Sequence, residues 1–121
     1  MATIKSYTDL EQSRKLVAIL PLESADMYWS RCTITNFDDG VLKVSYAVEP
    51  CNISQFRNTK EDIPCWSLAA LLNIFNYYEI NNFGDNIQFD AKGIALSTKE
   101  NETILDIVVD TIILLHKQNL L

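Results

Sequence analysis

The sequence predicts an α+β domain in which three helices pack on an antiparallel sheet of about four strands. Two observations carry this prediction. Three segments with helical periodicity are separated by two pairs of short β-rich segments, in the order α-β-β-α-β-β-α. Strands and helices do not alternate singly, as they do in parallel sheets. The length of 121 residues is typical of one domain, so we expect residues 1–121 to fold together.

The first helix is predicted over residues 8–20. Thr8 and Glu11 have the spacing of a capping box. Pro21 ends the helix, because its ring cannot continue it. The apolar residues between these points recur at helical spacing and form one face: Leu10, Leu16, Val17 and Leu20.

The first hairpin is predicted from residues 27–35 and 41–48, which are rich in β-branched and aromatic residues. An Asp-Asp-Gly sequence between them supplies the turn, and two registers compete. A two-residue turn would pair Thr35 with Val44, whereas a three-residue loop would pair Ile34 with Val44. We favour the three-residue loop, since it gathers the apolar residues of both strands on one face.

Residues 49–62 form the longest connection, and long connections are often functional or mobile. A second helix is predicted within 64–78. Its N-cap is either Asp62, which precedes Pro64, or Ser67, since both residue types are good caps. Its buried stripe has the spacing i, i+3, i+4 and i+7: Leu68, Leu71, Leu72 and Phe75.

Residues 81–85 are predicted to form a turn, because they combine asparagines with Gly-Asp. A second hairpin follows from residues 86–90 and 93–98, where apolar and polar residues alternate in the first strand. The third helix is predicted over 102–118, with Asn101 as its cap. Its apolar residues form one wide face at helical spacing: Ile104, Leu105, Val108, Val109, Ile112 and Leu115. The two leucines at the end of the chain are expected to pack against the core.

Composition excludes several classes of function. The net charge of −6 disfavours nucleic acid as a partner, and no apolar run approaches the ~20 residues of a membrane helix. Charged residues within the first 20 positions argue against a signal peptide. Three cysteines without zinc or redox spacing indicate reduced thiols and a cytoplasmic protein: Cys32, Cys51 and Cys65.

No catalytic or cofactor-binding pattern is present. The chain has one histidine, His116, and isolated glycines in place of a phosphate-binding loop. Cys65 lies near a predicted helix N-terminus, where a thiolate would be stabilised, but a small buried hydrophobe is the favoured interpretation. We therefore predict no enzyme, no metal site and no cofactor.

Aromatic residues are the best candidates for a binding site. Tyr28 and Trp29 open the first hairpin and Trp66 opens the second helix, and exposed aromatic residues mark many interfaces. Neighbours in a strand point to opposite faces, so one of Tyr28 and Trp29 is expected to be exposed. The alternative places both tryptophans in the core. Charged residues complete the predicted site: Glu23, Asp26 and Arg31 beside the hairpin, and Arg57 in the long connection.

Three stretches resemble a known group of proteins: residues 7–27, which run from YTDLEQS to LPLESADM, then IPCWSLAALL at 63–72 and LLHKQNLL at 114–121. They resemble small uncharacterised proteins encoded in prophages and other mobile elements of gut Bacteroidales. The resemblance implies a bacterial cytoplasm and a mobile-element origin, and it assigns no activity to any residue. Small phage accessory proteins often bind a host protein, for instance to blunt a defence system.

The leading hypothesis is therefore a non-enzymatic phage or mobile-element accessory protein that binds a host protein through Tyr28, Trp29 and residues 49–62. A protein that binds a nucleotide-like signal is the alternative. It would need Arg31, Lys43 and Arg57 to converge on one pocket. A small enzyme is the third hypothesis. A monomer and a homodimer both remain open, since a hairpin edge can pair with a second copy.

Overall fold

A computed structural model describes residues 5–35, 42–50 and 62–121 of the chain. Within them, three helices and two three-stranded antiparallel sheets confirm the α+β class. The predicted single sheet of about four strands is wrong, because six strands form two separate sheets. The elements are α1 (Leu10–Val17), β1 (Met27–Thr35), β2 (Leu42–Pro50), β3 (Asp62–Cys65), α2 (Leu68–Leu72), β4 (Glu79–Phe83), β5 (Asn86–Ala91), β6 (Ile94–Ser97) and α3 (Ile104–Lys117).

Helix α1 begins two residues later than predicted. Asp9 is the N-cap: its carboxylate accepts a hydrogen bond from the Gln12 backbone N–H at 2.8 Å, and the Gln12 side chain accepts one from the Asp9 N–H at 3.1 Å. The capping box is therefore Asp9 and Gln12 rather than Thr8 and Glu11. Thr8 cannot act as the cap, because its hydroxyl is buried and bonded elsewhere.

Strand β1 is the central strand of sheet 1, which has the order β2-β1-β3. Both predicted hairpin registers are wrong, since Val44 lies across from Thr33. The register of a central strand must suit two neighbours, and Trp29 lies across from Val48 on one side and Ile63 on the other. Sequence reasoning considered only the hairpin. The predicted turn lies outside the described residues.

The long connection is shorter than predicted, because β2 extends to Pro50 and β3 begins at Asp62. Residues 51–61 lie outside the described part of the chain. Of the two proposed starts for α2, Ser67 is the cap, and its hydroxyl accepts a hydrogen bond from the Ala70 N–H at 3.1 Å. The proposed start ahead of Pro64 is wrong, because that proline lies in β3.

Helix α2 ends at Leu72, well before the predicted residue 78. A tight turn follows the helix, with hydrogen bonds between residues three apart: from the Ile74 N–H to the Leu71 carbonyl and from the Phe75 N–H to the Leu72 carbonyl. Phe75 is buried as predicted, although it lies past the end of the helix. The last residue of the predicted apolar stripe therefore reaches the core from the turn after α2, and not from the helix itself.

Sheet 2 has the order β4-β5-β6 and contains a strand that the sequence did not predict. Residues 79–83 pair with 86–90, so the predicted turn at 81–85 narrows to Gly84 and the residue after it. The β5–β6 hairpin is confirmed. Lys92 and Gly93 form its two-residue turn, and both have positive φ, 50° and 84°, as a type I′ turn requires.

Helix α3 begins at Ile104 rather than 102, and Thr103 is its cap in place of Asn101. The Asp106 carboxylate accepts a hydrogen bond from the Thr103 N–H at 2.9 Å, which completes a capping box. Asn101 has a φ of 67° and belongs to the preceding loop. No helix in the described ranges is long and apolar enough to cross a membrane.

The hydrophobic core lies between the helices and sheet 2. Helix α3 packs on β5 and β6 and contacts both other helices. Completely buried residues come from every part of this arrangement: Leu16 of α1, Trp66, Leu71 of α2, Phe89 of β5, and Leu105, Val108, Ile112 and Leu115 of α3. The predicted apolar face of α3 is therefore confirmed. The two leucines at the end of the chain are exposed, against the prediction.

Thr8 is the centre of a buried hydrogen-bond network. Its backbone N–H donates to the Trp66 carbonyl at 2.9 Å, and its hydroxyl accepts from the Trp66 N–H at 3.1 Å and shares a bond with the Ser13 hydroxyl at 2.8 Å. Its carbonyl accepts from Trp29 Nε1 at 3.1 Å and from Cys65 Sγ at 3.3 Å. One residue thus joins α1, β1 and the β3–α2 junction.

We expect Thr8→Val to lower the free energy of unfolding by about 1–3 kcal/mol, because it leaves the buried Trp66 N–H without an acceptor. Thr111→Val is the matched control. Thr111 is equally buried, but its hydroxyl only donates to the Ile107 carbonyl inside α3, so we expect a loss below about 1 kcal/mol. Urea unfolding measures both. Equal losses would contradict the role of Thr8.

An ion-pair cluster joins the segment before α1 to α3. The Lys5 ammonium lies 2.8 Å from the Asp9 carboxylate and 2.9 Å from that of Asp106, which also accepts from Gln12 Nε2 at 2.9 Å. Partial burial alone would raise the pKa of Asp106, but the hydrogen bonds from Lys5, from the Thr103 backbone and from Gln12 outweigh it and lower that pKa.

We expect Asp106→Asn to reduce stability at pH 7 by about 1 kcal/mol, since ion pairs near the surface are screened. A lowered folded-state pKa stabilises the fold above the ordinary carboxyl pKa, and this stabilisation disappears as the pH falls through the folded-state value. The gap between wild type and variant should therefore narrow from pH 5 to pH 3 in urea unfolding. A gap that stays constant would contradict the assignment.

Candidate interaction site

Trp66 belongs to the core and not to an exposed site. Its ring is completely buried, and its Nε1 donates to the Ser24 hydroxyl at 2.9 Å. The alternative that places this tryptophan in the core is therefore right, and its prediction as an exposed binding residue is wrong. The physical reason is its place between the end of β3 and the start of α2, where the backbone turns into the core.

Trp29 and Tyr28 are both half-buried, so neither ring is fully presented to solvent. Trp29 packs edge-to-face on Tyr7, with ring centroids 5.9 Å apart and an angle of 74° between the planes. It also lines a small groove of about 340 Å³ with Lys5, Tyr7 and Asp9. Part of the Trp29 ring therefore supports the packing of β1 against the segment before α1.

The charged residues of the predicted site have different environments. The Asp26 carboxylate accepts hydrogen bonds from the Ser67 backbone N–H at 2.9 Å and from the Ser67 hydroxyl, so it holds the cap of α2 in place. Glu23 is exposed in a short 3₁₀ turn. Arg31 lies in β1 across from Tyr46, and Arg57 lies outside the described residues.

Cys65, the candidate nucleophile, is buried in β3. Burial raises the pKa of its thiol, and hydrogen bonds with Thr8 and Ser13 only partly offset this effect. The thiol donates to the Thr8 carbonyl, and the only histidine, His116, is exposed in the last turn of α3. Among the described residues, no group of three or more His, Cys, Asp or Glu is placed to hold a metal ion.

Three of the exposed large apolar residues in the described part of the chain lie in or next to β4. All five residues of this strand are exposed, and the side chains of Ile80 and Phe83 are 46% and 63% accessible. Tyr77, just before the strand, is 71% accessible. Of the strands that the structure describes, β5 alone pairs with β4, while α3 packs on β5 and β6. The strand therefore projects beyond the layer that the helices cover.

Both faces of β4 carry an apolar residue. Ile80 lies across from Phe89, which is completely buried, so Ile80 extends the core-facing side of sheet 2 to its edge. Phe83 lies across from Asn86 and belongs to the opposite face. On the side away from β5, alternate backbone N–H and C=O groups of β4 face outward, as at any sheet edge.

Carboxylates stand at both ends of β4. At its start, the Tyr77 hydroxyl donates to Glu79, which lies across from Asp90. This hydrogen bond raises the pKa of Tyr77, as do the nearby negative charges. At the other end, the β4–β5 turn lines an open cleft of about 570 Å³ whose charged residues are Asp85, Lys99, Glu100 and Glu102.

Sequence reasoning missed β4 because it took the two asparagines before Phe83 as part of a turn. A usable signal was present. Gly84 and Asp85 lie between Phe83 and Asn86, with Ile80 and Ile87 further out on either side, and a Gly-Asp pair between two β-forming segments is typical of a two-residue hairpin turn. Comparison with protein-family models, with curated proteins and with solved structures found no match to the chain.

We expect Cys65 to resist alkylation in the folded chain. In a Cys32→Ser/Cys51→Ser variant it is the only thiol, and its reaction with iodoacetamide should be at least about 100-fold slower than in urea. The same variant in urea is the control. A folded-state rate close to that of the unfolded chain would contradict the buried, protonated thiol and return Cys65 to the candidate nucleophiles.

Proposed function

We propose that this chain is a non-enzymatic protein-binding module that docks a partner protein along β4. One observation carries the proposal: every residue of this edge strand is exposed, and it presents apolar side chains on both faces. Isolated exposed apolar residues are ordinary on protein surfaces. An open strand edge that carries Ile80, Phe83 and the neighbouring Tyr77 is a surface on which another chain can pair.

Within the part of the chain that the structure describes, the β4 edge lacks three of the devices that normally prevent pairing: lysine, proline and a bulge. Natural edge strands are protected by lysine, proline, bulges or a covering segment. β4 contains neither lysine nor proline, and its ladder with β5 runs through consecutive pairs from Glu79 and Asp90 to Phe83 and Asn86. An unprotected edge of this kind promotes aggregation unless a partner uses it, which favours a binding role.

A host protein is the partner that we propose, with the chain acting in a bacterial cytoplasm as a phage or mobile-element accessory protein. The resemblance to prophage-encoded proteins supports this context, and a component of a host defence system is one such partner. The burial of Cys65 and the raised pKa of its thiol support binding over nucleophilic catalysis.

We expect Ile80→Lys and Phe83→Lys each to reduce capture of the partner from a host lysate at least about tenfold, as changes at the centre of an interface do. Leu22→Lys is the matched control, because Leu22 is also an exposed apolar residue, 38% accessible, and gains the same side chain. Quantitative mass spectrometry of proteins retained by the immobilised chain measures the effect, with circular dichroism to confirm folding.

Glu23→Lys tests the site that was predicted from sequence, since Glu23 is exposed and belongs to that predicted site. Capture that is lost in Leu22→Lys or Glu23→Lys and retained in Ile80→Lys would move the interface to that surface and overturn the β4 assignment. A released nucleotide in place of a retained protein would overturn the protein-binding function itself.

A further inference from the structure

We infer that the partner supplies an extended segment, apolar at its centre and basic at both ends, which pairs with β4 as a fourth strand of sheet 2. This inference rests on the proposed function and deepens it by naming the chemistry of the partner. The observations behind it are the open backbone edge, the apolar residues on both faces of β4 and the carboxylates at its two ends.

The backbone edge selects an extended segment. β4 has five residues, a length of roughly 17 Å at the rise of an antiparallel strand. Its outward N–H and C=O groups alternate, and only another strand can satisfy them in sequence. A helix laid on this edge would leave them unpaired. Main-chain bonds would therefore supply the affinity, and the side chains on either face would supply the specificity.

The apolar centre follows from Ile80 and Phe83. They lie on opposite faces of sheet 2. Every second side chain of a paired segment would therefore lie on the same face as Ile80, and the side chains between them would lie on the same face as Phe83. β-Branched or aromatic residues at its central positions would form favourable cross-strand pairs on both faces. Asn81 and Asn82 lie between them, and both are uncharged.

The basic ends follow from the charge around β4. Glu79 and Asp90 stand at its start, where the nearest lysine in sequence, Lys92, donates instead to the Leu120 carbonyl at 3.1 Å. Three carboxylates and one lysine line the cleft at its other end, giving a net charge of 1 − 3 = −2: Asp85, Glu100, Glu102 and Lys99. Lysine or arginine flanking the partner's strand would complement both ends.

The same charges disfavour a second copy of this chain. Parallel pairing of two β4 strands would place Glu79 near Glu79 of the partner subunit. Antiparallel pairing centred on Asn81 would bring the Glu79 end of one copy to the Asp85 end of the other. Acidic groups meet in both arrangements, and the chain as a whole carries a net charge of −6. A basic partner relieves this repulsion.

A display library of random nonapeptides, selected on the immobilised full chain and counter-selected on Ile80→Lys, tests the inference. We expect enriched peptides to carry Lys or Arg near both ends and β-branched or aromatic residues between them. One enriched peptide is then synthesised with N-methyl groups at alternate positions. N-methyl groups at the positions whose N–H groups point toward β4 should weaken binding at least about tenfold, because they remove main-chain hydrogen bonds. N-methyl groups at the alternate positions should be tolerated.

Several outcomes would overturn the inference. The first is that the enriched peptides show no excess of Lys or Arg. The second is that N-methyl groups weaken binding equally at both sets of alternate positions. The third is that the chain sediments as a dimer and that Ile80→Lys makes it a monomer. Lysate capture separates such a failure from failure of the proposed function. A host protein that is retained by wild type and lost in Ile80→Lys keeps β4 as the docking surface, even where the nonapeptides show that the partner does not pair as a basic strand.

Discussion

The pairing of Thr8 with Trp66 is the interaction on which the rest of the structure depends. Two backbone-directed hydrogen bonds join these residues, and both residues are completely buried. Buried polar groups are costly when they lack partners, so the network around Thr8 admits few other arrangements of its neighbours. It sets Trp66 in the core, draws the Trp29 indole of β1 toward α1, and positions the start of α2. Sheet 1 is thereby joined to the helical layer.

The position of α3 decides which surfaces are covered and which are open. Its buried face packs on β5 and β6. The cap at Thr103 determines where the helix begins, and the ion pair between Asp106 and Lys5 places its first turn next to the segment before α1. A helix of 14 residues is about 21 Å long, and it covers the side of sheet 2 on which Phe89 lies. β4 is paired at one edge of that sheet and is left exposed. The candidate docking edge is thus a consequence of how the core is assembled.

In the docking mode that we propose, the charges around β4 select the partner. An apolar edge strand without flanking charge would pair with many chains, including its own copies. The carboxylates of Glu79, Asp85 and Asp90 stand close to the strand without occupying its centre. In that proposed mode, the distribution of these carboxylates around β4 would favour a basic partner and repel an acidic one.

Local patterns in the sequence determined the α+β class, the existence of the three helices, the β5–β6 hairpin and the buried face of α3. Periodicity and turn chemistry act over a few residues, and no distant contact reversed them here. Only the tertiary structure decided that Thr8 is a buried hub instead of a helix cap, that Trp66 is core, that Val44 faces Thr33, and that residues 79–83 form a strand. Each of these depends on a partner remote in sequence or on competition between neighbouring strands. The division into two sheets has the same cause. Which strands pair depends on the match between two segments, and the residue pattern of a single segment does not reveal it.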